Sequence, residues 1–287
     1  MSISAENSSA FSIINKRFNE NSKPGERMDG HSIVALFEGG AMRSIIVAAE
    51  ASTASFLQRH KAFDKFAGTS NGGLIAMCVA AEQADDMITV FLNDVPSPKF
   101  INFKRMLRGN IADVHYFVDG ILMGDPGLQW EKVRDSAIPV DLIARSAVTG
   151  EPVVFNDFNS SEAVFGSLKA AMWMPRIAGW KPHIHNECPY WDHMGNGLEV
   201  VAAEDHSHIV VFRSSDKKLK LSRSVLKSDV SIEEIRPPKT IGRFEKRQKV
   251  LKNAAKIGAL TALEAFDATN SEVEIVAERF ERFGVAI

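Results

Sequence analysis

Gly68-Thr69-Ser70-Asn71-Gly72 has the G-x-S-x-G spacing of a nucleophile elbow, a sharp strand-to-helix turn that lifts a serine hydroxyl clear of the backbone. The apolar run Phe63 to Ala67 enters it with strand character, and Leu74 to Ala81 leaves it with helical character. Gly68 and Gly72 suit such a turn, because a missing Cβ permits tight bending and close approach of a substrate. A helix beginning just after Ser70 also aims its first N–H groups, and the positive end of its dipole, at the reacting centre. Patterns this short also arise by chance in Gly/Ser-rich loops between strand and helix, so the chemistry depends on partners elsewhere.

A serine hydroxyl is a poor nucleophile until a base accepts its proton and donors hold the oxyanion that forms. Two kinds of base compete. His193, His206 and His208 follow Ser70 in the chain order common to α/β-hydrolases, whereas Asp192 could act directly. Spacing does not separate them, because such partners meet in space and not in sequence. Upstream, Glu38-Gly39-Gly40-Ala41-Met42-Arg43 follows a strand pattern. Two glycines there present successive bare N–H groups, a geometry that holds an anion. Placed beside Ser70, that turn is an oxyanion hole.

These residues need an α/β sheet to position them. His31 to Phe37 is a nearly continuous apolar run, the pattern of a strand buried on both faces. The first eighty residues then read strand, Gly-rich turn, helix (Ile45 to Arg59), strand, Gly-rich turn, helix, which favours right-handed crossovers in a parallel sheet. Ligands gather beyond the carboxyl ends of such strands, where both turns lie. Phe91, Phe100, Ile101, Phe103, Met106 and Leu107 are candidates for a wall or lid, or for ordinary core. Val140 to Thr149 and Pro152 to Phe158 read as two strands joined by the turn Gly150-Glu151, as a hairpin or as neighbouring strands, and a helix capped by Ser160 or Ser161 runs to Trp173. Pro175 to Pro189 reads as loop, Ile209 to Phe212 as strand, and Lys217 to Lys239 as a basic solvated segment. Thr240 to Phe266 reads as one long helix, and Val273 to Val276 as a last strand or the start of a terminal helix.

With 287 residues, 45% apolar and 24% charged, the chain has the composition of an ordinary globular protein. Its net charge of −2 argues against a general nucleic-acid binder, which needs a basic face. Two cysteines, Cys78 and Cys188, are too few for a disulfide framework and fit a reducing cytoplasmic setting. No stretch reaches the ~18 apolar residues of a membrane span, and Met1 to Gly30 lacks the apolar core of a secretory signal. Residues 1–30 are expected to be a mobile arm whose patch Phe11 to Ile14 can dock on the body, with residues 31–287 forming one domain.

Glu38 to Arg43, then Gly68 to Gly72, then Tyr190-Trp191-Asp192 together resemble the patatin-like phospholipases, whose motifs are a Gly-Gly-x-Arg turn, a Gly-x-Ser-x-Gly elbow and a late Asp. The helix Leu168 to Pro175 resembles the one before that Asp, and the likeness covers roughly residues 31–215. The resemblance implies a three-layer α/β/α sandwich with a mainly parallel sheet. It also implies a Ser70–Asp192 dyad without a catalytic histidine, and oxyanion donors at Gly39, Gly40 and Ala41. Arg43 would brace the turn or meet a lipid phosphate. No cofactor or metal is implied. The substrate would be a fatty-acyl ester of a lipid, met in brief peripheral contact with a membrane. Three positions depart from the pattern: His193 stands where the family usually has glycine and so gives the chain less freedom to bend away after the acid, Glu38 replaces a glycine, and Asn71 is a tolerated variation in the elbow whose side chain would face solvent or the backbone. A member impaired in catalysis that binds lipid or a partner, and a lipid acyltransferase, are the alternatives. His183, His185, Cys188 and His193 fit no standard zinc spacing, and Gly39-Gly40 lacks the dinucleotide-binding pattern.

Overall fold

The computed structural model describes residues 8–125, 127–222, 225 and 229–287. In chain order the strands are β1 (Ile33–Phe37), β2 (Lys65–Thr69), β3 (Val140–Ser146), β4 (Pro152–Phe155), β5 (His183–His185), β6 (Cys188–Asp192), β7 (His208–Phe212) and β8 (Ser231–Ile235). The helices are α1 (Ala10–Asn19), α2 (Ser44–Phe56), α3 (Asn71–Ala80), α4 (Asp86–Thr89), α5 (Val114–Phe117), α6 (Trp130–Arg134), α7 (Ser161–Met172), α8 (Leu198–Val201), α9 (Gln248–Ala265) and α10 (Asn270–Glu281).

All five residues of β1 are buried, and a strand apolar on both faces belongs at the centre of a covered parallel sheet. There it pairs in parallel with β2 on one edge and β7 on the other. Parallel β3 and β8 extend the sheet, while β4, β5 and β6 join antiparallel, in the order β5-β6-β3-β2-β1-β7-β8 with β4 also on β3. Alternation along each strand separates two cores. Ile33, Ala35, Phe37, Phe66, Leu142, Val210 and Phe212 face the larger, with α2, α3 and α7. Val34, Leu36, Ala67, Ile143, Ile209 and Val211 face the smaller, under α8 and Val225.

The larger side carries a further layer. α2 is buried from Ser44 through Ala54, and a helix apolar all round must be covered all round. α9 supplies the cover with small residues: a Cβ at Gly258 would stand 2.3 Å from the Ile46 carbonyl oxygen and 3.0 Å from Ala49 Cβ.

Several elements differ from the sequence reading, each through a contact invisible in local pattern. Residues 1–7 of the expected arm lie outside the described residues, but from Ala10 the chain is packed as α1, with Ala10, Ile13 and Ile14 buried. Arg17, with its side chain 1% exposed, ties this helix down through Asp29 (2.7 Å) and Asp64 (2.8 Å). The expected loop Pro175 to Pro189 contains the β5–β6 hairpin, whose two-residue turn puts both Asn186 and Glu187 at positive φ. Such a turn normally advertises itself by a glycine, and Glu187 does not. β8 lies hidden in the basic segment as an edge strand, its Glu234 paired with Arg213 of the loop after β7. α9 begins at Gln248, not at 240. The terminal segment is helix α10, started by a capping box between Thr269 and Glu272.

Candidate active site

β2 delivers the serine. At the end of the strand Ser70 adopts φ 53° and ψ −131°, strained for a residue with a Cβ and typical of functional turns. The flanking glycines serve close approach. A Cβ on Gly72 would lie 2.0 Å from the Phe37 carbonyl oxygen, and one on Gly68 2.4 Å from the Gly72 carbonyl carbon. Asn71, expected to face solvent or backbone, is buried and donates to the Ala41 carbonyl at 3.2 Å. It therefore pins the elbow to the turn after β1.

That turn, Glu38 to Ala41, passes directly over the serine. A Cβ on Gly39 would stand 2.9 Å from Ser70 Cβ and 2.7 Å from the Thr69 carbonyl oxygen. Ala41 adopts φ 52°, and among the described residues the N–H groups of Gly39, Gly40 and Ala41 find no protein acceptor. Glu38 anchors the turn from behind, accepting from the Ser214 N–H at 2.7 Å and from Arg213 Nε at 3.3 Å. Arg43 braces it from the other side, donating from Nε to the Ile241 carbonyl at 2.8 Å.

Asp192 arrives by a different route. β2 pairs with Val140 to Ile143 of β3, and β6 pairs with Ala144 to Ser146. β4 overlaps both stretches, so β2 and β6 must share the edge of β3 opposite β4, placed end to end. Where the chain leaves that edge at the elbow, β6 takes its place and ends at Asp192. The residue is 3% exposed. Oδ1 accepts the Met194 N–H at 2.7 Å, and among the described residues the buried Oδ2 has no hydrogen-bond partner. Burial raises the pKa above the usual aspartate value, while the Met194 N–H, the Ser70 hydroxyl, His193 and Arg243 offset part of the rise. Serine and acid are close enough to interact, though no direct hydrogen bond joins them here; such contacts often tighten only with substrate bound.

His193 does not disturb this arrangement. Its buried ring turns away, with Nε2 2.9 Å from Glu199 Oε1, an interaction that holds Glu199 below the usual carboxylate range. Met194 takes the left-handed conformation, φ 63°, so the bend falls two residues after the acid. The other candidate bases lie elsewhere: His206 meets Ser32 and Glu204, and His208 begins β7 beside Ser207. In β5, His183 sits opposite Tyr190 of β6 and His185 opposite Cys188. Among the described residues no three His, Cys, Asp or Glu side chains converge as metal ligands.

Ser70, Asp192, Gly39, Gly40 and Ala41 line one cavity of about 180 Å³ together with Arg243. Ala41, Ser70 and Met174 also line a second, apolar cavity walled by Phe100, Ile101, Phe117 and Phe244. Of the expected wall or lid residues, Phe100 and Ile101 border this cavity, and Phe91 is fully buried core. Phe103, Met106 and Leu107 are exposed by 52%, 57% and 90%. Arg243 and Phe244 escaped notice in the sequence, because they fall in a stretch that reads as helix.

The profile of the patatin-like phospholipase family matches residues 36–192, more than half of the chain, from β1 to Asp192. The chain belongs to the patatin-like phospholipase family. Distant likenesses to solved structures accompany the match. VipD from Legionella pneumophila is 10% identical with a TM-score of 0.47, over 83% of this chain and 67% of VipD. The type III effector protein ExoU is 10% identical with a TM-score of 0.39, over 88% of this chain and 60% of ExoU. Comparison with curated proteins finds no match. The matched region of this patatin-like chain holds both glycine-rich turns and ends on the acid, whereas Ser214, Ile241, Arg243 and Phe244 come from beyond it.

Proposed function

We propose that the protein hydrolyses fatty-acyl esters of lipids, with Ser70 as nucleophile and Asp192 as its base. Ser70 Oγ attacks the ester carbonyl while its proton passes to the Asp192 carboxylate. The N–H groups of Gly39, Gly40 and Ala41 receive the tetrahedral oxyanion, and the expelled alcohol takes the proton from Asp192. Water, deprotonated by Asp192, then attacks the acyl-enzyme; the acyl–Oγ bond breaks, the fatty acid leaves, and the proton on Asp192 passes back to Ser70 Oγ. No step calls on a cofactor.

The observation that carries this reading is the pairing of a strained serine with a buried carboxyl whose Oδ2 has no hydrogen-bond partner among the described residues. A buried polar atom without a hydrogen bond costs stability, and this one borders the same cavity as Ser70. A raised pKa also makes the carboxylate a stronger base than ordinary aspartate. Labelling with a fluorophosphonate and turnover of a chromogenic octanoyl ester test the assignment. Ser70→Ala and Asp192→Asn should each abolish turnover in folded protein, and Ser70→Ala should abolish labelling. Wild-type turnover in either variant would refute the pair. Transfer of the acyl group to a lipid acceptor would share the same acyl-enzyme, and product analysis separates it from hydrolysis.

Contact with a lipid surface is part of the proposal. Phe103 packs edge-on against Phe244 at 5.4 Å, which links the exposed Phe103–Leu107 knuckle to the apolar cavity. Trp180, 60% exposed, lies against Gly109 just beyond it, and Lys104 adds charge. Clustered exposed apolar side chains mark interaction surfaces. Among the described residues no helix is long and apolar enough to cross a membrane, so this contact would be peripheral.

A further inference from the structure

We propose that Arg243 binds the phosphate of a glycerophospholipid substrate, so that the polar cavity beside Ser70 reads the headgroup while the apolar cavity takes the acyl chain. The inference rests on the hydrolase reading and names the residue that would read the headgroup at the same site.

The two cavities meet at Ala41, Ser70 and Met174, so an ester held at Ser70 has its two halves directed into different surroundings. Consecutive residues mark the division, with Arg243 lining the polar side and Phe244 the apolar side. Their backbone is fixed from several directions. The Met42 N–H donates to the Arg243 carbonyl at 3.0 Å, Arg43 Nε donates to the Ile241 carbonyl, and Thr240 Oγ1 donates to the Ser214 carbonyl at 2.7 Å. The segment that carries the guanidinium is therefore tied to the oxyanion turn itself.

Three charged residues line the polar cavity: Glu38, Asp192 and Arg243. Glu38 is taken up by Arg213 and Ser214, and Asp192 by the Met194 N–H on one oxygen. The Arg243 side chain is exposed and, among the described residues, has neither an ion pair nor a side-chain hydrogen bond. Arg43, the arginine singled out in the sequence, is committed to the loop and does not line this cavity. A planar guanidinium with free donors is matched to the paired oxygens of a phosphate. In a glycerophospholipid that phosphate lies a few bonds from the scissile ester, on the alcohol side, which is the half that the apolar cavity excludes. An aliphatic alcohol would leave the guanidinium unmatched. If Arg243 served only as a countercharge to Asp192, its loss would weaken cleavage of every ester alike.

The test compares dioctanoyl phosphatidylglycerol with dioctanoylglycerol, both as monomers, for the wild type, Arg243→Gln and Arg243→Lys. The kcat/KM ratio of phospholipid over neutral lipid should fall about tenfold in Arg243→Gln, mainly through KM, on the scale of one charge-assisted contact. Arg243→Lys should recover part of it. An unchanged ratio overturns the proposal, whether both rates fall together or neither does. Suppose inorganic phosphate inhibits the wild type but not Arg243→Gln, while the wild type shows no preference for the phospholipid. The site is then one for free phosphate, and the headgroup assignment is overturned. Should the wild type cleave neither lipid, the hydrolase reading fails separately. Calorimetric titration of Ser70→Ala protein with phosphatidylglycerol then decides, since binding that Arg243→Gln does not weaken overturns the phosphate site.

Discussion

Gly39→Ala tests the oxyanion role proposed for the turn after β1 while leaving Ser70 and Asp192 themselves unsubstituted. The added Cβ would stand 2.7 Å from the Thr69 carbonyl oxygen and 2.9 Å from Ser70 Cβ, where ordinary contacts begin near 3.4 Å. Both neighbours belong to the elbow's backbone or sit one bond from it, so neither can rotate aside. Turn and elbow must separate by roughly 0.5 Å or more, and an active site misplaced by about 1 Å loses on the order of 10² in rate. Loss of one oxyanion donor costs about 10²–10³ in kcat, so kcat should fall by roughly 10²-fold or more with KM changed far less. Gly40→Ala is the matched comparison. Its Cβ would meet Ser214 Oγ at 2.7 Å, and although Ser214 Cβ is also close, at 3.1 Å, the hydroxyl can rotate away. A loss of about tenfold or less is expected there. Steady-state hydrolysis of a soluble short-chain ester, with thermal melts to confirm folding, provides the readout. A folded Gly39→Ala enzyme with wild-type kcat would refute the placement of this turn over the reacting carbonyl.

Three further outcomes follow from the same structure. In the proposed mechanism Asp192 must be ionised to accept the Ser70 proton, and burial raises its pKa, so the acid limb of kcat/KM should lie above the ordinary aspartate value of about 3.9; a limb at or below that value contradicts the assignment. A raised folded-state pKa also means that stability falls as pH rises through it, so Asp192→Asn should melt higher than wild type at neutral pH while being inactive. Gly258→Ala forces a Cβ to 2.3 Å from the Ile46 carbonyl oxygen, overpacking the α2–α9 contact at a cost of about 1–3 kcal/mol; Tm should drop by several degrees while the remaining folded enzyme keeps its kcat. Asp29 is held down to about 2 chiefly by its hydrogen bond from Arg17, so its contribution to docking α1 is present above about pH 4 and lost as pH falls through 2; hydrogen exchange across Ala10–Asn19 should accelerate in that window, and no change there would contradict it.

The parts of the site legible in the sequence are those where local backbone dictates residue type. Gly68 and Gly72 are required by approaches of 2.4 and 2.0 Å, and Gly39 by its contact with the elbow, so each left a motif behind. Asp192 was legible only in company with those motifs. Nothing beside it announces that β6 takes over the edge that β2 vacates, because that register is set through β3. Arg243, Phe244 and Ser214 were not legible at all. They reach the site from loops 22 to 52 residues beyond Asp192, and what selects them is a cavity assembled by the whole fold. The docked α1 and the edge strand β8 escaped for a related reason. Glu233 in β8 accepts from Ser9 Oγ at 2.7 Å across the length of the chain, and such a contact imposes no periodicity on either segment.

His193 shows where reading residue by residue misleads in the opposite direction. Next to Asp192 and in place of the usual glycine, it raised the prospect of a displaced acid or a rival base. The fold supplies the missing bend at Met194 instead, with φ 63°, and binds the imidazole to Glu199. The residue after the acid therefore has no need of glycine's conformational freedom in this chain; the position after that does. A non-glycine residue in the left-handed region costs about 1–3 kcal/mol, and the Met194 N–H that this conformation directs at Asp192 Oδ1 explains why the strain is retained. It fixes one carboxyl oxygen and leaves the other without a hydrogen-bond partner, among the described residues, at the cavity that Ser70 lines.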